Sequence, residues 1–313
     1  MSTLNNLRDF DSFYELIEFF STEDKCEDYL AQLRWNGKPQ CPHCGHDEKV
    51  YVLNLADNRK RYKCSDCRKK FSVRVGTIFH DSKISLRKWF IAIYLITAHK
   101  KGISSHQLAR DLKITQKTAW FVLQRVRFAF QPSQEKFSGV VEIDETFVGG
   151  KEKNKHASKK NSLARGRSVI GKTPVLGIIE RGGKVYALPV TDTKAKTLLP
   201  IMRDKVEQGS TVYTDEWVSY KSLKKDFNHG VIRHNASEYV NGDIHTNSIE
   251  GFWALFKRGI LGIYHHTSYE HLHRYVDEFT FRYNNRDLSE GSRFDVLLAN
   301  TNGTLTYKEL INE

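Results

Sequence analysis

The chain has 313 residues, a formal net charge of +12 and five cysteines. Such a length buries a sizeable core and can hold two or more domains. It contains no run of 18 apolar residues and no signal-peptide pattern, so a soluble, intracellular protein is expected, and the few, patterned cysteines exclude a disulfide scaffold. The charge is uneven: residues 1–37 carry −5 and residues 38–135 carry +13. A contiguous basic block of that size points to a polyanionic partner.

Residues 1–37 read as an acidic helical segment. Its DSFYELIEFF stretch supplies apolar residues either for a partner or for packing on the neighbouring cysteine-bearing segment. Cys26, in the helical stretch EDKCEDYLAQLRW, reads as a packed small hydrophobe. Residues 38–82 contain Cys41-Pro-His-Cys44 and Cys64-Ser-Asp-Cys67. Two C-x2-C knuckles 19 residues apart present four thiolates to one tetrahedral Zn²⁺ in a closed structural site. His43 and His46 are then bystanders. The cations around the second knuckle, Lys63 and Lys69 among them, would meet a nucleic-acid backbone.

Residues 83–135 predict three helices. Leu86, Trp89, Phe90, Ile93 and Ile96 fall at helical spacing in the first. Ser104 caps the second, with Gln107 completing a capping box, and Thr115 caps the third after a Lys113-Ile114 turn. Ala119, Val122, Leu123 and Val126 are expected in the core, with Lys117, Gln124 and Arg127 on the opposite face. Two short helices and a tight turn fit a DNA-reading helix-turn-helix as well as an ordinary three-helix bundle. In the first reading Gln116 and Lys117 are the leading candidates for base contact.

Residues 136–300 predict an α/β domain. The run 139–148 is β-branched and ends at Gly149-Gly150, a strand signature that places Glu142 and Asp144 on one face and Val141 and Ile143 on the other. Residues 151–172 hold eight basic side chains and one acid, either a solvated loop or one that orders on DNA. Residues 174–180 and 184–190 read as strands joined by an Arg-Gly-Gly hairpin, 194–207 as a helix, 210–214 as a buried-type strand ending at Asp215, and 231–233 as a short strand. Residues 246–259 read as a helix capped by Thr246 or Asn247. Residues 268–284 form a late helix, and 301–313 a tail. Glu250 is open to two readings, a metal-binding carboxylate or the capping-box partner of Asn247. Lys257, seven residues on, shares its face and is either a phosphate neighbour or a solvated charge.

The order of these parts, with KFSVRVGTIFHDS after the knuckles, VEIDETFVGGKE, VYTDEWVSY, HTNSIEGFWALFKRGILGIYHH and FRYNNR, resembles the insertion-sequence transposases with an N-terminal zinc ribbon and a DDE catalytic domain, the ISXO2-like group. The resemblance runs from about residue 20 to about residue 295. It implies an RNase H-like core, a mixed five-stranded sheet with flanking helices. It places the first catalytic carboxylate on Asp144 in the central strand, the second on Asp215 after the fourth strand and the third on Glu250, with Lys257 near DNA. His245 and Asn247 are weaker candidates for positioning. The implied cofactors are structural Zn²⁺ and catalytic Mg²⁺ or Mn²⁺. The implied partner is double-stranded DNA, as terminal inverted repeats and target, bound by a homodimer or larger assembly in the cytoplasm at the nucleoid. The expected activity is metal-dependent cleavage and strand transfer. A DNA-binding regulator with a decayed catalytic domain and a structure-specific nuclease are the alternatives.

Overall fold

A computed structural model describes residues 10, 12–54, 60–131, 134–150, 156, 158, 169–232 and 243–312. The basic loop expected over 151–172 lies almost wholly outside the described residues. No helix among them is long and apolar enough to cross a membrane. The chain divides into two compact units, one of residues 1–131 and 285–313, the other of residues 132–284.

The first unit opens with α1 (Phe13–Phe19) and α2 (Glu23–Trp35), capped by the Ser12 and Thr22 hydroxyls, which accept from the amides of Glu15 and Lys25. Each cap satisfies an amide that the helix leaves without a partner. Cys26 is fully buried on α2, as expected for a small hydrophobe, and burial pushes its thiol up to about 12. Three antiparallel strands come next: β1 (Val50–Asn54), β2 (Lys60–Cys64) and β3 (Lys70–Phe71), with Val50 opposite Cys64 and Tyr62 opposite Phe71. Trp35, Tyr62 and Phe71 pack around the knuckle cysteines.

The three expected helices form as α3 (Leu86–Ala98), α4 (Ser105–Leu112) and α5 (Gln116–Phe128), capped by Ser85, Ser104 and Thr115. Only half of the capping box at Ser104 is made. The Gln107 amide reaches the Ser104 hydroxyl at 3.1 Å, but the Gln107 side chain donates to Asp111 at 2.7 Å instead. The anticipated core positions of α5 are buried.

The segment after residue 284 departs from expectation. Residues 285–300, grouped by sequence with the α/β domain, belong with the first unit instead. There α9 (Glu290–Ala299) packs on α3, and Phe294 joins Phe10, Phe20 and Phe90 in one aromatic cluster. Tyr29 donates to Asp295 at 2.7 Å and Tyr94 to Glu290 at 2.9 Å. The Ile78 amide donates to the Thr301 carbonyl at 2.9 Å. The expected tail carries a further short helix, α10 (Tyr307–Ile311), closed by a full capping box between Thr306 and Glu309.

The second unit is built on a five-stranded mixed sheet: β4 (Val140–Val148), β5 (Thr173–Glu180), β6 (Val185–Pro189), β7 (Thr211–Thr214) and β8 (Asn228–Val231), in the spatial order β6-β5-β4-β7-β8. β4 is central; it runs antiparallel to β5 and parallel to β7. One face carries Val141, Ile143, Leu176 and Ile178 against α6 (Ala195–Lys205) and a 3-10 segment at Val218–Lys225. The other carries Val148, Val175 and Ile179 against α7 (Asn247–Gly259) and α8 (Leu272–Asn284). The alternation within β4 therefore sends Glu142 and Asp144 to the α7 side.

The last strand lies about three residues earlier than its expected place at 231–233. Its Asn-His-Gly-Val sequence lacks β-branched residues until Val231, but Gly230 lets the strand lie against the Tyr213 ring, where a Cβ would stand 2.7 Å from a ring carbon. Between α7 and α8 the chain makes one wide helical turn at Ile260–Tyr264 that the periodicity did not indicate.

Candidate active site and metal centre

The four knuckle cysteines form a metal-binding constellation. Their sulfurs all lie within 4.8 Å of one another. The Cys41–Cys67 and Cys44–Cys64 separations are 3.6 and 3.7 Å. Four sulfurs at about 2.3 Å from a tetrahedral centre stand about 3.8 Å apart, so these two separations match those of a Zn²⁺ cage. A residue of positive φ stands just after each knuckle, Gly45 at 78° and Arg68 at 59°. The amides of Cys41 and Cys64 bond to the carbonyls of His46 and Lys69. Burial opposes ionisation of Cys64, yet the amides of Cys67 and Asp66 and the neighbouring sulfurs hold its thiol down at about 7, which favours the ligating thiolate. His46 is occupied elsewhere, 3.2 Å from both the Lys49 amide and the Ser65 hydroxyl. His43 lies against Phe71.

In the second unit, Asp215 just past β7 and Glu250 in the first turn of α7 both act electrostatically on Asp144 of β4. Burial pushes the Asp144 carboxyl up to about 7; the charges of Asp215 and Glu250 add to that rise, and Lys257 opposes it. All four residues named from sequence therefore share one electrostatic neighbourhood. Among the described residues only the cysteines close to within 4.8 Å as a ligand cluster, so the three carboxylates stand further apart than ligands crowded on one ion. Two ions roughly 3.5–4 Å apart admit that wider spacing. Hard carboxylate oxygens suit Mg²⁺ or Mn²⁺, and a dication would relieve the repulsion that Asp215 and Glu250 exert on Asp144.

Glu250 does not close a capping box with Asn247. The N-cap is Thr246, whose side chain makes no cap bond and instead donates to Glu250 Oε1 at 3.0 Å. The amides at the start of α7 go to a residue whose sequence context gives no hint of this role. Glu142, fully buried on β4, accepts from the Ser248 and Ile249 amides at 2.8 and 3.0 Å and from the Ser248 hydroxyl at 3.1 Å. Arg181, from the β5–β6 turn, donates to Glu142 through Nε at 2.7 Å. Its other nitrogen reaches the His245 ring and carbonyl, each at 2.9 Å. The guanidinium lies over the Tyr213 ring at 4.8 Å. His245 is thus held within this network, while Asn247 is exposed. Gly177, the β5 partner of Asp144, lets α7 approach: a Cβ there would stand 2.5 Å from the Trp253 ring.

On the opposite face of β4, Glu145 is pushed up to about 8, chiefly by burial and further by Asp144 and Asp215, with the Tyr220 hydroxyl acting the other way. Its position beside Asp144 in the sequence was the one signal for it.

The expected DNA-facing residues divide. Gln116 and Lys117 are exposed at the start of α5; Gln116 donates to Ser105 at 2.8 Å and Lys117 sits 4.9 Å over the Tyr307 ring. Lys69 is exposed and Lys63 half-buried on the ribbon. Gln124 and Arg127 are not on a solvent face: they are 0% and 1% exposed. Burial on α5 extends without a break from Val122 through Arg127, wider than the stripe its apolar residues define. Arg125, within that run, donates to the His80 carbonyl at 2.6 Å and covers the Trp89 ring.

Comparison with known proteins matches residues 136–284 to an ISXO2-like transposase domain and residues 21–70 to a transposase zinc-ribbon domain. An uncharacterized protein in transposable element ISH50 of Halobacterium salinarum is 32% identical over 253 residues, covering 77% of this chain and 84% of its own length. An uncharacterized transposase-like protein of Haemophilus influenzae is 34% identical over 123 residues, 39% of this chain and 97% of its own. Among solved structures, a Mos1 strand transfer complex aligns over 69% of this chain and 79% of its own at 13% identity, with a TM-score of 0.29, too low to carry an argument.

Proposed function

The chain belongs to the ISXO2-like transposase family, and from that premise we propose that it is an active DDE transposase that cuts the ends of an insertion sequence and joins them to target DNA. The observation that carries the proposal is the convergence on Asp144 of the charges of Asp215, Glu250 and Lys257, drawn from separate stretches of chain.

In this reading the second unit is an RNase H-like catalytic domain. Asp144, Asp215 and Glu250 would hold two Mg²⁺ or Mn²⁺ ions, which when bound supply an activated water or 3′-hydroxyl and a stabilised leaving oxygen at the scissile phosphate. Lys257, whose charge already opposes the rise at Asp144, would offset the negative charge of that phosphate. The chemistry is in-line displacement, and no covalent link between protein and DNA is needed. Zn²⁺ in the cysteine cage fixes the ribbon, whose Lys63 and Lys69 meet the DNA backbone. Helices α4 and α5 act as a helix-turn-helix, with Gln116 and Lys117 at the reading end of α5. Two protomers or more assemble on the paired ends.

The test is incubation of the protein with DNA bearing its element's ends, with and without Mg²⁺, beside Asp144→Asn. Metal-dependent nicking and joining, lost in the variant while end binding persists, is the expected result. Cutting without joining would identify a nuclease. Binding without strand chemistry in either metal would identify a regulator.

A further inference from the structure

We infer that Glu142 is a positioning residue for the metal site: it fastens the start of α7 to β4 and so sets Glu250 opposite Asp144. This rests on the proposed metal-dependent reading of the site.

A helix start needs acceptors for its first amides, and a nearby Ser, Thr, Asp or Asn commonly provides one. Helix α7 has Thr246 at that place, yet the Thr246 hydroxyl is turned to Glu250. Glu142 takes over, with Oε2 receiving both the Ser248 and Ile249 amides and Oε1 the Ser248 hydroxyl. A local cap would tie the helix only to its own preceding residue. Glu142 ties it instead to the central strand, one same-face step from Asp144, roughly 7 Å along the strand. The next residue of α7 after the two capped amides is Glu250.

The anchor is itself fixed. Arg181 bonds Glu142 on one side and the His245 ring and carbonyl on the other, so the segment entering α7 is held by the same guanidinium. Tyr213, which lies under that guanidinium, is the β7 residue paired with Glu142, two positions before Asp215. The network therefore touches all three elements that deliver the carboxylates: β4, β7 and α7. A fully buried carboxylate costs more than an apolar residue in a role that needs only packing. Its placement here is explained by the register it imposes between two metal-binding side chains.

The experiment measures Mn²⁺ binding by electron paramagnetic resonance and calorimetry, on zinc-loaded full-length protein without DNA. Wild type is compared with Glu142→Gln, Arg181→Lys and Asp144→Asn, and melting is followed in parallel. Glu142→Gln keeps the shape but turns an amide toward donors. The expected result is a loss of Mn²⁺ affinity of about tenfold or more in Glu142→Gln, a smaller loss in Arg181→Lys, and a matching rise in the Mn²⁺ needed for half-maximal nicking. A merely structural role would lower the melting temperature and leave the affinity of the folded protein unchanged, and that result overturns the inference. Should Glu142→Gln not fold, wild-type affinity in Arg181→Lys overturns it equally. A wild-type protein with no Mn²⁺ site that Asp144→Asn removes would overturn the metal reading and the anchor together; an intact site in Glu142→Gln overturns the anchor alone.

Discussion

Replacing Asp144 with Asn is expected to stabilise the metal-free protein while abolishing its chemistry. The carboxyl is raised from 3.8 to about 7, by burial first and then by Asp215 and Glu250. At about 1.36 kcal/mol for each tenfold change in acidity, the folded state bears roughly 4 kcal/mol for an ionised Asp144. Sharing of that strain with neighbouring carboxylates, and relaxation on substitution, leave about 2 kcal/mol, or a rise of roughly 4–8 °C in the melting temperature of a unit of this size. Between roughly pH 4 and 7 the folded chain keeps a proton that the unfolded chain has lost, so wild-type stability falls as pH rises through that window and the penalty is complete above it. Asn carries no such proton. The advantage of the variant should therefore grow from pH 5 to pH 8, by about two-and-a-half-fold. The assay is scanning calorimetry of zinc-loaded protein in buffer freed of other divalent ions. Adding Mg²⁺ or Mn²⁺ should raise wild type alone and narrow the gap, because only wild type gains a bound ion. Coincident melts at pH 8, or a gap that does not change with pH, would refute the assignment of Asp144 to a crowded carboxylate site.

Gly177→Ala should destabilise the second unit by about 1–3 kcal/mol, because the new methyl meets the Trp253 ring at 2.5 Å. It should also weaken Mn²⁺ binding by displacing α7, which calorimetry reads directly. Gln124→Ala and Arg127→Ala should cost about 1–3 kcal/mol of stability as buried polar losses and leave the sequence preference of the folded protein intact. Gln116→Ala and Lys117→Ala should leave the melt unchanged and weaken DNA binding, with a reduced salt slope for Lys117→Ala; gel-shift titrations across salt separate the two pairs. Cys64→Ser should lower the zinc content of the protein, assayed by atomic absorption, and lose the packing of Trp35, Tyr62 and Phe71 around the cage.

What the sequence conveyed well was local. The two knuckles, the Ser104 and Thr115 caps and the β-branched run ending at Val148 each encode their structure within a few residues. Asp144, Asp215, Glu250 and Lys257 were singled out through strand alternation, helical spacing and resemblance to a family, and the charges of the last three bear on Asp144. Roles filled from far along the chain were hidden. Glu142 caps a helix 106 residues later, and no local pattern announces a remote acceptor; Thr246 and Asn247 looked sufficient. Arg181 read only as part of a hairpin turn. The amphipathic pattern of α5 assigned Gln124 and Arg127 to solvent because a single apolar stripe implies a single covered face, whereas that helix is buried more widely. The boundary set at residue 300 failed for a similar reason, since α9 finds its aromatic partners near residues 10, 20 and 90.

That return of the chain has a consequence for synthesis. The ribosome delivers residues 132–284, all of the second unit, before Phe294 emerges to complete the aromatic cluster of the first. Domains usually mature in the order in which they are translated; here the later-made unit has its whole sequence while the earlier one still waits for its last helices. A nascent or prematurely terminated chain would hold the whole second unit on a body whose ribbon-bearing half is unfinished; on the proposed function, a nonsense codon near residue 285 should therefore impair DNA binding before it damages the fold that carries Asp144, Asp215 and Glu250.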